Sequence, residues 1–212
     1  MLAVCAAVVA VSNASADVKV GFSAPLSGPV ASVGQDQYDG FILGVELLQG
    51  KFGGQPVTVL KEDDQLKPEL GNQIARKFID RDKVDALVGL GFSNVLMASL
   101  PRIVESGTVA IATNAGPSPI AGAGCVSNVF SMAWQNDGSA EAMGKFAQDA
   151  GYKKVFLLAP NYQAGKDYIA ATTPGAAGNY TPGVTGYTAL SQGKLAGQNI
   201  AADYALASNI NL

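Results

Sequence analysis

Two short segments carry the residues best suited to bind a small anion, and each of them follows a predicted strand. Small and hydroxyl-bearing side chains predominate in both, so the backbone is accessible and extra donors lie close by. The N–H groups in the first turn of a helix lack acceptors and carry a partial positive charge, which suits a carboxylate. The candidate ligand-binding residues are Ser93 and Asn94 in the first segment and Ala115, Gly116 and Ser118 in the second.

Each of these residues also has a purely structural interpretation. Ser93 is a plausible N-cap for the helix that follows it, and Pro117 with Ser118 is typical of a turn. The binding interpretation is favoured because the pattern occurs four times, since small or polar residues also end the strands before Ser27 and Gln65. Because the carboxyl ends of parallel strands meet at one edge of a sheet, all four segments are expected to border one crevice.

Aromatic side chains could enclose the apolar part of a ligand. Trp134 follows a predicted strand, where it could form the wall of a cleft, and Tyr162 could stack on a ring. Burial in an ordinary core remains an equal alternative for these residues. Tyr38 lies on the apolar side of a predicted helix and is assigned to the core.

Catalytic machinery is not visible in the sequence. There is no histidine, and the two cysteines have no metal-binding spacing. No phosphate-binding glycine loop follows any strand. Asp63 and Asp64 could form a metal or acid–base pair, but a solvated turn is the preferred interpretation. We therefore predict that the chain is not an enzyme and has no metal and no cofactor. A net charge of -3 without a basic block predicts no nucleic acid partner.

Strands and helices alternate over residues 17–122, which predicts a first α/β lobe with a parallel sheet and helices on both faces. Pro101 predicts a kink or a late start in the third helix. The predicted strands are Val18–Ser23, Pro56–Leu60, Ala86–Leu90 and Thr108–Thr113, and the predicted helices are Gly34–Leu48, Lys67–Asp80 and Asn94–Ser106.

Residues 123–172 predict the beginning of a second, incomplete α/β lobe. Its strands are expected at Val129–Ala133 and Lys154–Ala159, and its helices at Asp137–Ala150 and Gln163–Thr172. Residues 173–212 contain only Lys194 and Asp203 as charged residues and show weak periodicity. They are expected to form an irregular tail.

Residues 1–16 resemble a signal peptide. They are apolar, too short to span a bilayer, and end in the small residues Ala14, Ser15 and Ala16. The usual basic residues at the start are missing, and a buried N-terminal element is the alternative. We predict export to the periplasm with cleavage before Asp17.

Four motifs occur in an order that resembles the periplasmic solute-binding proteins of ABC transporters. The resemblance is strongest to the branched-chain amino-acid type, which includes receptors for aromatic carboxylic acids. It covers about Val18 to Asp167, and the motifs are VGFSAPLSGPVASVGQDQYDG, EDDQLKPELGNQIARKFIDRDKVDALVGLGFSN, TNAGPSPIAGAGC and KKVFLLAPNYQAGKD. It implies two α/β lobes that trap a ligand between them and then dock on a membrane permease.

The resemblance also implies roles for individual residues. A serine after the third strand and the loop after the fourth bind the ligand carboxylate, and a loop of the second lobe approaches from the other side. The matching positions are Ser93, then Ala115, Gly116 and Ser118, then Tyr162 and Gln163, with Trp134 near the first crossing between lobes.

We therefore expect an exported protein that captures a small carboxylate, either an amino acid or an aromatic acid, for an ABC importer. Family chains are considerably longer. This sequence is therefore expected to be a fragment, or its C-terminal residues are expected to differ from the natural sequence. The alternatives are a ligand-sensing module of the same fold and a fragment that binds nothing and is recruited to assembly.

Overall fold

The computed structural model describes residues 17–121, 124–152, 154–176, 188–190 and 205–211. The proposed signal peptide, residues 1–16, lies outside this range. The strands are β1 Val18–Ala24, β2 Lys51–Phe52, β3 Gln55–Asp63, β4 Ala86–Gly89, β5 Val109–Ala112, β6 Val129–Ser131, β7 Lys154–Pro160, β8 Thr188–Leu190 and β9 Ala205–Asn211. The α-helices are α1 Ala31–Leu47, α2 Pro68–Arg76, α3 Ser93–Ser106, α4 Asn136–Asp149 and α5 Gln163–Ala176.

The first sheet has the strand order β2-β3-β1-β4-β5-β6. Every neighbouring pair in it is parallel except β2 and β3, which form an antiparallel hairpin at the edge. Parallel strands require crossover connections, and α1, α2 and α3 supply them. The predicted α/β fold with a mostly parallel sheet is confirmed.

Helices cover both faces of this sheet, and the alternation of side chains along β1 shows why. Phe22 is fully buried and packs against Tyr38 and Phe41 of α1, with ring centroids 5.1 and 5.4 Å away. Gly21 points to the opposite face, where a β-carbon would come within 2.6 Å of the ring of Phe78. On this second face, α2 and α3 pack against the sheet and form a separate hydrophobic core with it.

The observed helices differ from the predicted ones at their ends. The helix predicted to begin at Gly34 begins at Ala31, and α2 passes into a π-helical turn, Lys77–Asp82. Lys83, with φ of 54°, ends that turn in the left-handed conformation. Pro101 lies within α3 on its exposed side, and the helix begins at Ser93 rather than late.

The second unit contains α4, β7 and α5, close to the predicted bounds. The strand predicted at Val129–Ala133 is not part of this unit, because it is β6 and pairs with β5 in the first sheet. β7 pairs with β9 in antiparallel orientation, and β9 pairs with β8 in the same way. Both β8 and β9 lie in residues 173–212, which are expected from the sequence to be irregular. The other residues of this segment beyond position 176 lie outside the described range. Within the described residues, the helices lack the length and hydropathy needed to cross a bilayer.

Candidate functional site

The segments that follow the parallel strands meet at the carboxyl edge of the first sheet. Backbone hydrogen bonds connect neighbouring strand ends there, from Thr113 N to Gly89 O at 2.8 Å and from Met132 N to Ala112 O at 2.9 Å. The loops themselves also touch, since Asn114 Nδ2 donates to Gly91 O at 3.3 Å. The predicted convergence of these segments at one edge is therefore present.

The loops after β1 and β3 are closed by two neighbouring carboxylates. Asp63 Oδ1 accepts hydrogen bonds from Leu26 N at 2.7 Å and Gln65 N at 2.9 Å. Asp64 is fully buried, and its oxygens accept from Ser23 Oγ at 3.0 Å and Leu66 N at 2.9 Å. The predicted solvated turn is wrong for Asp64, because this carboxyl group is buried and takes its hydrogen bonds from two donors of the protein instead of from water. These amides are thus not free to bind a ligand.

Burial acts on both carboxyl groups, with opposite net results. It raises the pKa of Asp64 above its ordinary value, and the bonds from Leu66 and Ser23 oppose this only in part. Asp63 is also subject to desolvation, but hydrogen bonds from Ser27, Leu26 and Gln65 outweigh it and lower its pKa. In the described residues, no group of histidine, cysteine or acidic side chains could hold a metal ion.

A cavity of about 290 Å³ lies at the remaining part of this edge, between the first sheet and the second unit. Its walls come from the start of α3, the loops after β5 and β6, the start of α4 and the start of α5. The lining residues are Gly91, Phe92, Ser93, Thr113, Asn114, Met132, Ala133, Trp134, Asn136, Tyr162, Ala164 and Tyr168.

The first wall is the N-terminus of α3. Its first intrahelical bond runs from Leu96 N to Phe92 O at 3.0 Å, so the N–H groups of the preceding turn lack acceptors within the helix. The prediction that Ser93 is the N-cap is wrong. Phe92 occupies that position with extended backbone, and Ser93 is the first helical residue. Ser93 is only 2% exposed, and its Oγ accepts a hydrogen bond from Asn136 Nδ2 at 3.1 Å.

A second helix N-terminus, that of α5, forms another wall. Lys166 N donates the first bond of this helix to Tyr162 O at 3.1 Å, which leaves the N–H groups before it without helical acceptors. Gly165 fits there because a β-carbon would come within 1.8 Å of Pro160 O. The rings of Phe92 and Tyr162 lie 6.3 Å apart and connect the two walls. Two partly positive helix ends therefore border the same cavity.

Three of the predicted site residues line this cavity, namely Ser93, Trp134 and Tyr162. Trp134 is 80% exposed, so the alternative of a core position is excluded for it. Burial raises the pKa of the Tyr162 hydroxyl, with a further contribution from Tyr168, so the hydroxyl stays protonated and able to donate.

The other five predicted residues do not line the cavity, and each has at least one hydrogen-bond partner within the protein. Asn94 Nδ2 donates to Leu66 O at 3.2 Å, and Gln163 Nε2 donates to Asp167 Oδ1 at 2.7 Å. The carbonyl oxygens of Ala115 and Gly116 accept from Ser131 Oγ and Asn136 N, both at 2.8 Å. These contacts stabilise the loop that follows β5.

Ser118 is held in the same region by a contact from α5. Its backbone N–H donates to Asp167 Oδ2 at 3.1 Å. Its hydroxyl oxygen is buried and has no hydrogen-bond partner among the described residues. A direct role of Ser118, Asn94, Ala115, Gly116 or Gln163 in ligand binding remains a prediction.

Sequence reasoning missed several lining residues, above all Asn136 and Tyr168. Tyr168 follows Ala164 by one helical turn, so the spacing could have placed it on the same side of α5 as the cavity. Asn136 begins α4 two residues after Trp134, but no local pattern distinguishes a buried asparagine from an exposed one. Among the described residues that line the cavity, none carries a charged side chain.

Comparison with protein families gives one match that spans most of the chain. A model of the family described as periplasmic binding protein matches residues 17–199. The match includes the whole first sheet and both helix ends that border the cavity.

Curated relatives and solved structures agree with this match. An amino acid binding protein of Pseudomonas aeruginosa is 26% identical over 137 residues, which cover 64% of this chain and 36% of the relative. The Leu/Ile/Val-binding protein homolog 3 of Brucella melitensis is 28% identical over 150 residues, covering 69% of this chain and 40% of that protein. This chain therefore spans about two fifths of the length of these relatives.

Among solved structures, an ABC transporter solute-binding protein from R. palustris in complex with benzoate superposes with a TM-score of 0.65. It is 30% identical, and the alignment covers 76% of this chain and 46% of that one. A periplasmic binding protein from Burkholderia mallei gives a TM-score of 0.67 at 25% identity, covering 76% and 43%.

Proposed function

Because this chain belongs to the periplasmic binding protein family, we propose that it captures a small carboxylate and presents it to an ABC importer in the membrane. The chain acts without catalysis, from the periplasm, after removal of residues 1–16. The sequence predicts a first lobe at residues 17–122, but β6, Val129–Ser131, pairs with β5 in the first sheet, so in this proposal the first lobe extends to β6 and the second lobe begins with α4. The named relatives are binding proteins, which supports this class of function.

The observation that carries the proposal is the pair of helix N-termini that border one cavity. Ser93 of α3 and Ala164 of α5 both line it, and each belongs to a turn whose N–H groups precede the first helical bond. Helix ends of this kind bind anions without a cationic side chain. The two walls come from different units, so a bound acid would hold the units together.

The lining favours an aromatic acid over an amino acid. Four of the residues around the cavity are aromatic: Phe92, Trp134, Tyr162 and Tyr168. The ammonium group of an amino acid would lose its water there without an anionic side chain in the described lining, which is unfavourable. The R. palustris protein was solved with benzoate, a ligand that has a ring and a carboxylate and no ammonium group.

Calorimetric titration of the purified protein tests both parts of the proposal. Benzoate is expected to bind at least about 10-fold more tightly than benzamide, its neutral analogue of similar shape, because hydrogen bonds to a charged group are the stronger ones. L-leucine and L-phenylalanine serve as the amino-acid probes and are expected to bind more weakly than benzoate.

The possible results separate the two parts. Equal affinities for benzoate and benzamide would contradict binding through partly positive helix ends. Tighter binding of L-leucine would keep the carboxylate and refute the aromatic ligand class. Mass spectrometry of small molecules released from the purified protein gives an independent identification.

A further inference from the structure

We propose that Asn136 and Asp167 are positioning residues that orient the Ser93 hydroxyl as a hydrogen-bond donor toward the ligand. The proposal rests on the proposed function, because it concerns how the same cavity holds an acid. It is carried by a chain of hydrogen bonds that connects α5, α4 and α3.

Asp167 is the fixed end of this chain. The residue is 7% exposed, yet it forms no ion pair among the described residues. Its carboxylate instead accepts three hydrogen bonds, from Ser118 N at 3.1 Å, Asn136 Nδ2 at 2.9 Å and Gln163 Nε2 at 2.7 Å. Donors from three different segments hold both oxygens in place.

Asn136 is the middle member, and its partner determines how its amide is oriented. A carboxylate only accepts hydrogen bonds, so the NH2 group and not the oxygen of Asn136 must lie against Asp167. The second hydrogen of that group then goes to Ser93 Oγ, 3.1 Å away. The side chain is held further because Asn136 is 6% exposed and its backbone N donates to Gly116 O at 2.8 Å.

Ser93 is the end that meets the ligand. Since its oxygen accepts from Asn136, the role left to the hydroxyl is to donate its own hydrogen. Among the described residues it donates to no protein acceptor, and Ser93 lines the cavity. Without Asn136 the hydroxyl would be free to turn toward a backbone carbonyl, as serines in helices commonly do.

The arrangement has a direct consequence for ligand binding. A hydroxyl that donates to an anion becomes a better acceptor, so an acid held by Ser93 strengthens the bond that Asn136 donates to Ser93, while the other hydrogen of the Asn136 amide stays on Asp167. Those bonds join the first sheet to α4 and α5. Binding of the acid and contact between the two units therefore favour each other.

A four-protein cycle tests whether Asn136 acts through Ser93. Benzoate affinity is measured by calorimetry for the wild type, Ser93→Ala, Asn136→Ala and the double variant. We expect Asn136→Ala to raise Kd about 10-fold when Ser93 is present, which is the loss of roughly one hydrogen bond to a charged group. In the Ser93→Ala background the same change is expected to alter Kd less than about 2-fold. Equal factors in both backgrounds would show a merely structural role and overturn the proposal.

Asn128→Ala is the matched control for Asn136→Ala. Asn128 Nδ2 also donates two bonds, which are partly buried, to Ile103 O at 2.9 Å and Thr108 O at 2.8 Å, but at the opposite end of the sheet. This variant should lower the melting temperature and leave benzoate affinity within about 2-fold of the wild type. A comparable loss of affinity in the control would mean that lost stability, not lost positioning, weakens binding.

In Asp167→Asn, the direction of the change in benzoate affinity distinguishes positioning from simple charge repulsion. Coulomb's law alone predicts tighter binding of an anion when a nearby buried negative charge is removed. Positioning predicts weaker binding, because the NH2 group of the new asparagine cannot accept the hydrogen bonds that Asp167 accepts from its neighbours. We expect a several-fold rise in Kd for benzoate, and a fall would overturn the role of Asp167.

Nuclear magnetic resonance provides a readout that needs no ligand. Both hydrogens of the Asn136 side-chain amide are bonded, so its signals should exchange slowly with water and should shift in Ser93→Ala and in Asp167→Asn. If the wild type binds none of the acids tested, the proposed function fails, and the ligand role of Asn136 fails with it. Unshifted amide signals would refute the hydrogen-bond chain itself, whatever the protein binds.

Discussion

Replacement of Ser93 by alanine is the most direct test of how the cavity would hold an acid. The side chain is 2% exposed, lines the cavity at the start of α3 and accepts from Asn136 Nδ2 at 3.1 Å. The change removes one donor to the ligand and leaves the backbone N–H groups of the helix end in place. A loss of affinity therefore measures the hydroxyl and not the helix end.

Two effects of this substitution differ in size and in readout. A hydrogen bond to a charged acceptor contributes about 1.5 to 3 kcal/mol, which corresponds to a rise in the benzoate Kd of about 10- to 150-fold. The buried Asn136 amide also loses one acceptor, and this is expected to lower the free energy of unfolding by about 1 to 3 kcal/mol. Calorimetric titration measures the first effect, and urea denaturation of the ligand-free protein measures the second.

Ser99→Ala is the control on the same helix. Ser99 is fully buried, but its Oγ donates only to Val95 O, one turn earlier in α3, and it does not line the cavity. We expect a benzoate Kd within about 2-fold of the wild type, since no ligand contact changes. Equal affinities of the Ser93 and Ser99 variants would refute the reasoning, because the hydroxyl would then not touch the acid.

Four further predictions concern the scaffold of the protein. Burial raises the pKa of Asp64 in the folded protein. The stability that its protonated form contributes is therefore present below pH 3.8 and is lost as the pH rises through the pKa of the folded protein. The melting temperature of Asp64→Asn should accordingly rise relative to that of the wild type as the pH increases. The pKa of Asp63 changes in the opposite direction, because desolvation is outweighed by the hydrogen bonds that lower this pKa. Asp63→Asn should therefore be destabilised most above pH 3.8 and little well below that pH. A β-carbon at Gly116 would lie 2.2 Å from Trp134 O, so Gly116→Ala should reduce the free energy of unfolding by about 1 to 3 kcal/mol. Gly138 in α4 has open space around it, so the control Gly138→Ala should increase that free energy by about 0.5 to 1 kcal/mol. Phe78 is fully buried, and Phe78→Ala should reduce that free energy by about 3 to 5 kcal/mol in urea denaturation.

The first lobe could be predicted from the sequence because its signals are local. Short β-branched runs alternate with helical periodicity, and the crossover rule then leaves only a parallel sheet with its loops at one edge. Helix ends were less predictable. Serine favours the N-cap position, which makes Ser93 a plausible cap from the sequence, but Phe92 occupies that position and the Ser93 hydroxyl bonds to Asn136.

The composition of the site was less predictable, since it depends on contacts between distant segments. Ser93 and Asn136 are separated by 43 residues, and Ser118 and Asp167 by 49. Periodicity carries no information about such pairs. The resemblance in motifs placed Tyr162 at the cavity, but it did not indicate that Asp167 would take the backbone N–H of Ser118.

The two acidic groups at this edge of the sheet explain why only part of it is suited to a ligand. Asp63 and Asp64 accept the backbone N–H groups of the loops after β1 and β3, so these loops are fixed without a bound molecule. Asp167 does the same for Ser118. The N–H groups that remain without helical acceptors at the cavity are those at the starts of α3 and α5. In the proposed function, selectivity for an acid would therefore depend on which donors the protein has already satisfied, and not on a positively charged side chain.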